Sequence, residues 1–213
     1  MDDFIVEPRG RGDKRAGVLV LHGGTGLGAH ERQRAERLGE LGYTVLAPDL
    51  FGVVFESRSH AVEVITKLVD RPAVLRGRVR DALERLRARP TVDASRCAAI
   101  GFCFGGLAAL ELARSGADVR CVVSFHGGLT TRAPARNREV HASVLICAGA
   151  RDSFVTREHR TALEDEMNAA GADWQMHVHA NALHGFTHGA DYEERADRRS
   201  WDAMRSLFDE KLA

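Results

Sequence analysis

Gly101-Phe102-Cys103-Phe104-Gly105-Gly106 joins an apolar strand predicted over 96–100 to a helix predicted over 104–115. In such a strand-turn-helix bend the central residue adopts a strained backbone conformation, and the neighbouring turns leave room only for hydrogen side chains. This pattern is typical of a nucleophile elbow, with cysteine in the place usually taken by serine. The helix that starts there would favour the Cys103 thiolate through its unpaired N–H groups and its dipole. Taken alone, the hexapeptide also fits a buried structural cysteine beside a tight turn.

Strand-length apolar runs alternate with segments of helical period along the chain, which predicts an α/β fold with a mostly parallel sheet and helices on both faces. The predicted strands are 4–7, 16–21, 44–47, 96–100, 119–125, 143–148 and 174–178. The predicted helices are 31–41, 59–69, 73–88, 104–115, 157–170 and 192–212. The length of 213 residues and the absence of a linker predict a single domain over 1–213. Residues 53–90 interrupt the alternation and read as a helical insertion that could overhang the site.

Composition narrows the function classes. Lys+Arg and Asp+Glu balance at 30 each, so no net charge favours nucleic acid or an anionic membrane surface. The apolar runs are shorter than the ~20 residues of a membrane helix, and residues 1–16 lack a secretory pattern, which predicts a soluble, cytoplasmic protein. Three of the four cysteines (Cys97, Cys121, Cys147) lie in predicted core strands, where cysteine behaves as a small hydrophobe. The sequence gives no indication of oligomeric state.

A cysteine nucleophile needs a base, a carboxylate that orients the base, and donors for the oxyanion. Asp152 follows the strand 143–148, and His184 follows the strand 174–178, so both are predicted at the carboxyl edge of the sheet. The chain order Cys103, Asp152, His184 is that of α/β-hydrolases, which predicts a catalytic triad. The same topology predicts an oxyanion hole formed by the backbone N–H groups of Phe104 and Gly24.

The chain resembles the dienelactone hydrolase family of the α/β-hydrolase superfamily. The resemblance is carried by the elbow 101–106, Asp152 and His184, together with four further segments that spread it over nearly the whole chain. Those segments are Val18-Leu19-Val20-Leu21-His22-Gly23, Gly42-Tyr43 with Ala47-Pro48-Asp49-Leu50-Phe51-Gly52, Ser124-Phe125-His126-Gly127, and His184-Gly185-Phe186. The resemblance implies an α/β-hydrolase fold and a hydrolase without a cofactor. It also implies small esters or lactones as substrates, cleaved through a thioester acyl-enzyme.

Two positions depart from the family's pattern. Gly23 stands where the best-known members place a glutamate that activates the resting thiol, so His184 and the helix terminus would have to form the thiolate. His188 stands where those members have an arginine that binds the substrate carboxylate. We expect His188, and His126 at the end of its strand, to contact substrate, and we expect Cys103 to be reactive in the free enzyme.

Other functions remain open on the sequence. His177, His179, His184 and His188 fall within twelve residues, yet solvated and catalytic roles explain them better than a metal site, and no metal is predicted. A class I glutamine amidotransferase also carries cysteine on an elbow, but Phe186 stands where it would have glutamate. The principal alternative is a non-catalytic binding or redox-sensing protein on the same scaffold, with Cys103 reactive towards peroxide.

Overall fold

The protein forms a seven-stranded sheet covered by helices in a computed structural model that describes residues 3–8 and 14–213. The strands are β1 (Phe4–Val6), β2 (Arg15–Leu21), β3 (Thr44–Ala47), β4 (Val92–Phe102), β5 (Cys121–Phe125), β6 (Ser143–Gly149) and β7 (Trp174–His179). The helices are α1 (Ala29–Glu40), α2 (Arg58–Val69), α3 (Pro72–Arg87), α4 (Phe104–Arg114), α5 (Arg157–Ala170) and α6 (Glu194–Lys211), with a 3₁₀ turn at Gly189–Asp191.

The strand order is β1-β3-β2-β4-β5-β6-β7. Only β1 pairs antiparallel, and every other neighbouring pair is parallel. The predicted mostly parallel sheet is therefore confirmed. Parallel pairing brings the carboxyl ends of β2, β4, β5, β6 and β7 to one edge, which is where loops carry chemistry in open α/β sheets.

Two apolar layers cover the sheet because both faces of its central strands are buried. In β2 the alternation of side chains sends Val18 and Val20 into the core under α1 and α6, whereas Leu19 and Leu21 face the core under α3, α4 and α5. Cys97, Cys121 and Cys147 lie in these layers, each no more than 1% exposed, as predicted. Burial raises the pKa of the Cys121 and Cys147 thiols to about 12, so both are protonated and unreactive.

Strand β4 begins four residues earlier than the sequence pattern predicts. Its first residues, Val92 and Asp93, pair with Arg15 and Ala16, and the register shifts after Ala16 before pairing resumes. The polar residues in this irregular stretch hide the strand from a pattern based on apolar runs.

None of the helices in the described part of the chain is long and apolar enough to cross a membrane.

The predicted insertion contains two helices of different character. Helix α3 buries one face, including Leu75, Val79 and Leu83, in the core, so it serves as the crossover between β3 and β4. Helix α2 buries only Leu68 fully and is the additional element. Its Ile65 approaches the loop after β2, because a Cβ added at Gly24 would lie 3.3 Å from Ile65 Cδ1. That this segment overhangs the site stays a prediction.

Candidate active site

The elbow residue Cys103 has a positive φ of 53° with ψ at −114°, a conformation that L residues rarely adopt. Its N–H donates to the carbonyl of Phe125 at 3.0 Å, which holds the strained turn against β5. A Cβ at Gly101 would overlap the backbone of Gly105, and a Cβ at Gly105 would overlap the carbonyl of Leu21. The strain is therefore maintained by close backbone approaches that only glycine permits.

Three side chains from distant parts of the sequence converge at the carboxyl edge of the sheet. His184 Nε2 lies 3.1 Å from Cys103 Sγ, and His184 Nδ1 lies 2.9 Å from Asp152 Oδ2. Cys103 stands between β4 and α4, Asp152 follows β6, and His184 follows β7. The structure thus brings together the three residues that the sequence analysis selected for a triad. The contacts run in the order that a nucleophile, a base and an orienting carboxylate would require.

Asp152 is fixed in place by its own loop. It is 6% exposed, and its second oxygen, Oδ1, accepts hydrogen bonds from the N–H groups of Phe154 at 2.8 Å and Val155 at 3.1 Å. The loop also binds the His184 loop, because Arg151 N–H donates to the carbonyl of Ala182 at 3.1 Å. With Oδ1 satisfied by the backbone, Oδ2 remains directed at the imidazole.

The electrostatics of the site favour a thiolate–imidazolium pair. Burial alone would raise the pKa of the Cys103 thiol, but the hydrogen bond and charge of His184 and the N–H groups of Gly24 and Phe104 outweigh it, so the pKa is lowered. Burial alone would lower the pKa of His184, but Asp152 and Cys103 together raise it to about 10. With this raised pKa, His184 carries a proton at neutral pH.

Backbone N–H groups from two different segments interact with the Cys103 sulfur. Phe104 is the first residue of α4, and Gly24 lies in the loop after β2, with both N–H groups interacting favourably with Cys103. These are the two residues that the sequence analysis selected for an oxyanion hole. His22 anchors the loop: its Nδ1 lies 2.8 Å from the carbonyl of Gly23, and its Nε2 accepts from Leu50 N–H at 2.9 Å.

The two histidines predicted to contact substrate differ in position. His126 is 1% exposed, has a positive φ of 40°, and places its ring 5.4 Å from the His184 ring in an edge-to-face contact. It lies behind the catalytic base candidate, and burial lowers its pKa well below the usual value. His188 is exposed and borders a cleft of about 860 Å³ together with Arg37 and Tyr192. Substrate contact by either histidine stays a prediction.

An exposed aromatic ring flanks the site. Phe154 is 72% exposed, and its ring centroid lies 4.9 Å from that of His184. Sequence reasoning did not select it, although its position two residues after Asp152 placed it on the same edge. The ring provides an apolar wall beside the imidazole.

Glu31 is a second residue that sequence reasoning missed. It lies on the first turn of α1 but is only 3% exposed, and its Oε1 accepts from Gly23 N–H at 3.3 Å. Burial alone would raise its pKa, but hydrogen bonds from His30, its own N–H and Gly23 lower it to about 2. A carboxylate thus lies beside Gly23, although it comes from another element. The available signal was a glutamate three residues after the N-cap Gly28 of α1, a position from which the side chain often accepts from the N-cap N–H.

The clustered histidines do not form a metal site among the described residues, where no group of three or more His, Cys, Asp or Glu is arranged to hold an ion. His179 instead packs against α6, with its Nε2 2.8 Å from Ser200 Oγ. His179 is thus half-buried, so its expected contact with solvent is reduced but not removed.

A parallel sheet with helices on both faces, an elbow after its fourth strand and loops converging on one edge define the α/β-hydrolase fold. The model of the Dienelactone hydrolase family matches residues 1–212, and the chain belongs to that family of hydrolases.

Solved structures and curated proteins agree with this assignment. The chain is 40% identical to a structure titled m3DLH, with a TM-score of 0.93 over 99% of this chain and 92% of the other. It is 38% identical to a dienelactone hydrolase-like promiscuous phosphotriesterase, P91, from metagenomic libraries, with a TM-score of 0.92 and the same coverage of 99% and 92%. It is 24% identical to a putative carboxymethylenebutenolidase of Yersinia pestis, over 96% of this chain and 82% of that protein.

Proposed function

We propose that this protein hydrolyses small carboxylic esters or lactones with Cys103 as nucleophile, His184 as acid and base, and Asp152 as the residue that orients His184. The observation that carries the proposal is the continuous contact from Cys103 Sγ to His184 Nε2 at 3.1 Å and from His184 Nδ1 to Asp152 Oδ2 at 2.9 Å. Membership of the dienelactone hydrolase family supports a hydrolytic reaction on a small molecule.

In the proposed acylation step, the Cys103 thiolate attacks the carbonyl carbon and forms a carbon–sulfur bond. The carbonyl oxygen becomes an oxyanion that accepts hydrogen bonds from the N–H groups of Gly24 and Phe104. Collapse of this intermediate breaks the bond to the alkoxide, which takes the proton from His184 Nε2 as it leaves. A thioester and a neutral imidazole remain.

In the proposed deacylation step, the neutral imidazole of His184 removes a proton from water as the water oxygen attacks the thioester. The second oxyanion accepts hydrogen bonds from the same two N–H groups. Its collapse releases the carboxylic acid, expels the thiolate and restores the thiolate–imidazolium pair. Asp152 stabilises the imidazolium in both steps without itself becoming protonated.

The site also favours a class of substrate. Phe154, which is 72% exposed, provides apolar surface beside His184, and Ile65 provides it beside Gly24. Apolar surface of this kind favours an uncharged acyl or leaving group next to the reacting carbonyl. The acid released would then leave towards the polar cleft or the solvent.

Turnover of an activated aryl ester by the wild type and by Cys103→Ala tests the proposal. We expect the substitution to lower kcat by about 10³-fold or more, because nothing else near the carbonyl can replace the sulfur. The matched control is Cys97→Ala, which removes a buried thiol from β4 and should leave turnover unchanged. Intact-mass measurement during turnover should detect one acyl group on the wild type and none on Cys103→Ala.

Two results would reject the proposal. One is equal ester turnover in Cys103→Ala and the wild type. The other is oxidation of Cys103 by peroxide in a wild type that turns over no ester, lactone or thioester, which would favour the redox-sensing alternative.

A further inference from the structure

A chain of buried polar contacts links the loop 22–28, which carries the oxyanion donor Gly24, to the loop that carries His184. We propose that Glu31, His30 and Arg34, on the first turns of α1, are positioning residues. They hold these two loops in the relative position that catalysis requires. The inference rests on the proposed function, since it concerns the oxyanion hole and the base of that reaction.

The Glu31 carboxylate spans the oxyanion loop. Oε1 accepts from Gly23 N–H at 3.3 Å, and Oε2 accepts from Gly28 N–H at 3.1 Å, so one side chain binds the loop near both of its ends. Gly24 directly follows Gly23, where the carboxylate makes the first of these two contacts. A Cβ added at Gly23 would lie 3.8 Å from Glu31 Oε1 and 3.7 Å from Cys103 Cβ, so the first contact is immediately beside the nucleophile.

His30 connects this carboxylate to an arginine. Arg34 Nε donates to His30 Nε2 at 3.2 Å, and because a guanidinium can only donate, Nε2 must be the acceptor. The ring proton is then on Nδ1, which faces Glu31 Oε1 at 3.5 Å. Arg34 therefore selects the His30 tautomer that presents a donor to Glu31.

Arg34 also binds the chain beyond His184. Its Nη2 donates to the carbonyl of Thr187 at 2.9 Å and to Asp197 Oδ1 at 2.8 Å, and its side chain is almost fully buried. Thr187 Oγ1 in turn lies 2.8 Å from His126 Nε2, and the His126 ring packs against His184. The contacts thus run from the oxyanion loop to the residue that supports the base.

This arrangement predicts a specific kinetic effect. A shift of about 1 Å in Gly24 relative to His184 would leave substrate binding almost intact but would misplace the oxyanion donor, which costs up to about a hundredfold in rate. A residue important only for folding would lower the melting temperature without changing the properties of the folded enzyme.

The experiment compares Glu31→Gln and Arg34→Met, singly and together, with the wild type. Glu31→Gln keeps the shape but turns one of its two acceptors into a donor facing a backbone N–H. Three quantities are measured: kcat and KM for an activated aryl ester, the affinity of an aryl trifluoromethyl ketone, and the melting temperature. The thiolate adds to that ketone and places an oxyanion on the same N–H donors. The matched controls are Glu36→Gln on α1 and Arg198→Gln on α6, both of which are exposed.

We expect each variant to lower kcat by about ten- to a hundredfold and to lower the affinity for the ketone by a similar factor. KM should stay within about threefold of the wild-type value. The double variant should lose little more than the worse single one, because both changes break the same connection. The controls should stay within about twofold of the wild type in all kinetic constants.

Unchanged kcat in the folded single variants would overturn the inference, and so would losses that multiply fully in the double variant. If Glu31→Gln does not fold, Glu31→Asp, which is too short to reach both N–H groups, should lose kcat and ketone affinity alike. A wild type that neither turns over an ester nor binds the ketone would reject the proposed function itself. Wild-type activity together with unaffected variants would reject this inference alone.

Discussion

Cys103 Sγ and His184 Nε2 lie 3.1 Å apart in a partly buried site. Both pKa shifts favour the charged pair, since the thiol pKa is lowered and the imidazole pKa is raised to about 10. The thiolate–imidazolium pair should therefore exist in the free enzyme between the lowered thiol pKa and about pH 10, above which the imidazolium loses its proton and the thiolate remains. Its stabilisation comes from His184, Gly24 and Phe104, and the reactivity of this thiol in the free enzyme stays a prediction.

The pH dependence of alkylation tests this single-residue property. We expect iodoacetamide to label Cys103 with a midpoint below the reference thiol value of about 8.5, because the thiolate forms at lower pH beside His184. In His184→Ala the midpoint should rise, since the favourable hydrogen bond and charge are lost. The rate is followed by peptide mass spectrometry between pH 5 and pH 10, roughly the range over which such a thiol titrates.

The other cysteines provide the internal control for this measurement. Cys97, Cys121 and Cys147 are buried and have raised pKa values, so the native protein should leave them unlabelled. A wild-type midpoint at or above about 8.5 would contradict the persistent thiolate. An identical midpoint in His184→Ala would exclude His184 as its cause.

The elbow depends on the close packing of helix α4 against the end of strand β2. The first turn of α4 lies so close to the strand that a methyl group at Gly105 would overlap the carbonyl of Leu21. The same docking sets the direction of the α4 N-terminus, and with it the Phe104 N–H. Packing of the helix and presentation of the nucleophile therefore have one physical cause.

Gly105→Ala should disturb both properties. We expect a loss of about 1–3 kcal/mol in the free energy of unfolding, because the backbone must move apart to admit the methyl group. Turnover should fall as well, since the elbow moves with the helix. Urea denaturation and ester turnover are measured in parallel.

Gly77→Ala, in the interior of α3, is the matched control. A Cβ at Gly77 meets nothing within 4 Å, so this substitution should stabilise the protein by about 0.4–1 kcal/mol and leave turnover unchanged. Equal effects of the two substitutions on stability would show that close packing at Gly105 is not what the elbow requires.

Sequence patterns predicted most strands and helices well, because local sequence determines where these elements form. Apolar runs located the core strands, and the bounds of β3 and α5 agree with the prediction. The glycines of 101–106 predicted the elbow because close backbone approach excludes larger side chains. The start of β4 was missed because its pairing with β2 shifts register among polar residues.

Contacts between distant segments could not be read from the sequence in the same way. Arg34 and Asp197 are 163 positions apart, and Arg34 and Thr187 are 153 positions apart, so no local period records their contact. Glu31 resembled an ordinary residue of a solvated helix turn. The three triad residues could be selected from the sequence because parallel topology places the ends of β4, β6 and β7 on one edge of the sheet. This placement alone reduces the candidate positions to a few loops.

A buried charge network connects several elements of the molecule at the end of α4 that is opposite the elbow. Arg114, at the end of α4, is fully buried, donates from Nη1 to Glu111 Oε1 at 3.0 Å, and donates from Nε and Nη2 to the two carboxylate oxygens of Glu166 on α5 at 2.9 and 2.8 Å. Its Nη2 also donates to the carbonyl of Leu129 at 2.7 Å. One guanidinium thus links the elbow helix, α5 and the loop after β5.

Removing that guanidinium should cost far more than removing an exposed one. We expect Arg114→Met to lower the free energy of unfolding by about 3 kcal/mol, because Glu166 would lose its ion pair in a largely buried position. Glu111 would keep only its ion pair with Arg76. The melting temperature should fall by roughly 10 °C for a chain of this length. The control is Arg132→Met, which breaks an exposed ion pair with Asp70 and should cost at most about 1 kcal/mol. Equal losses in the two variants, measured by urea denaturation, would mean that the network does not unite these elements.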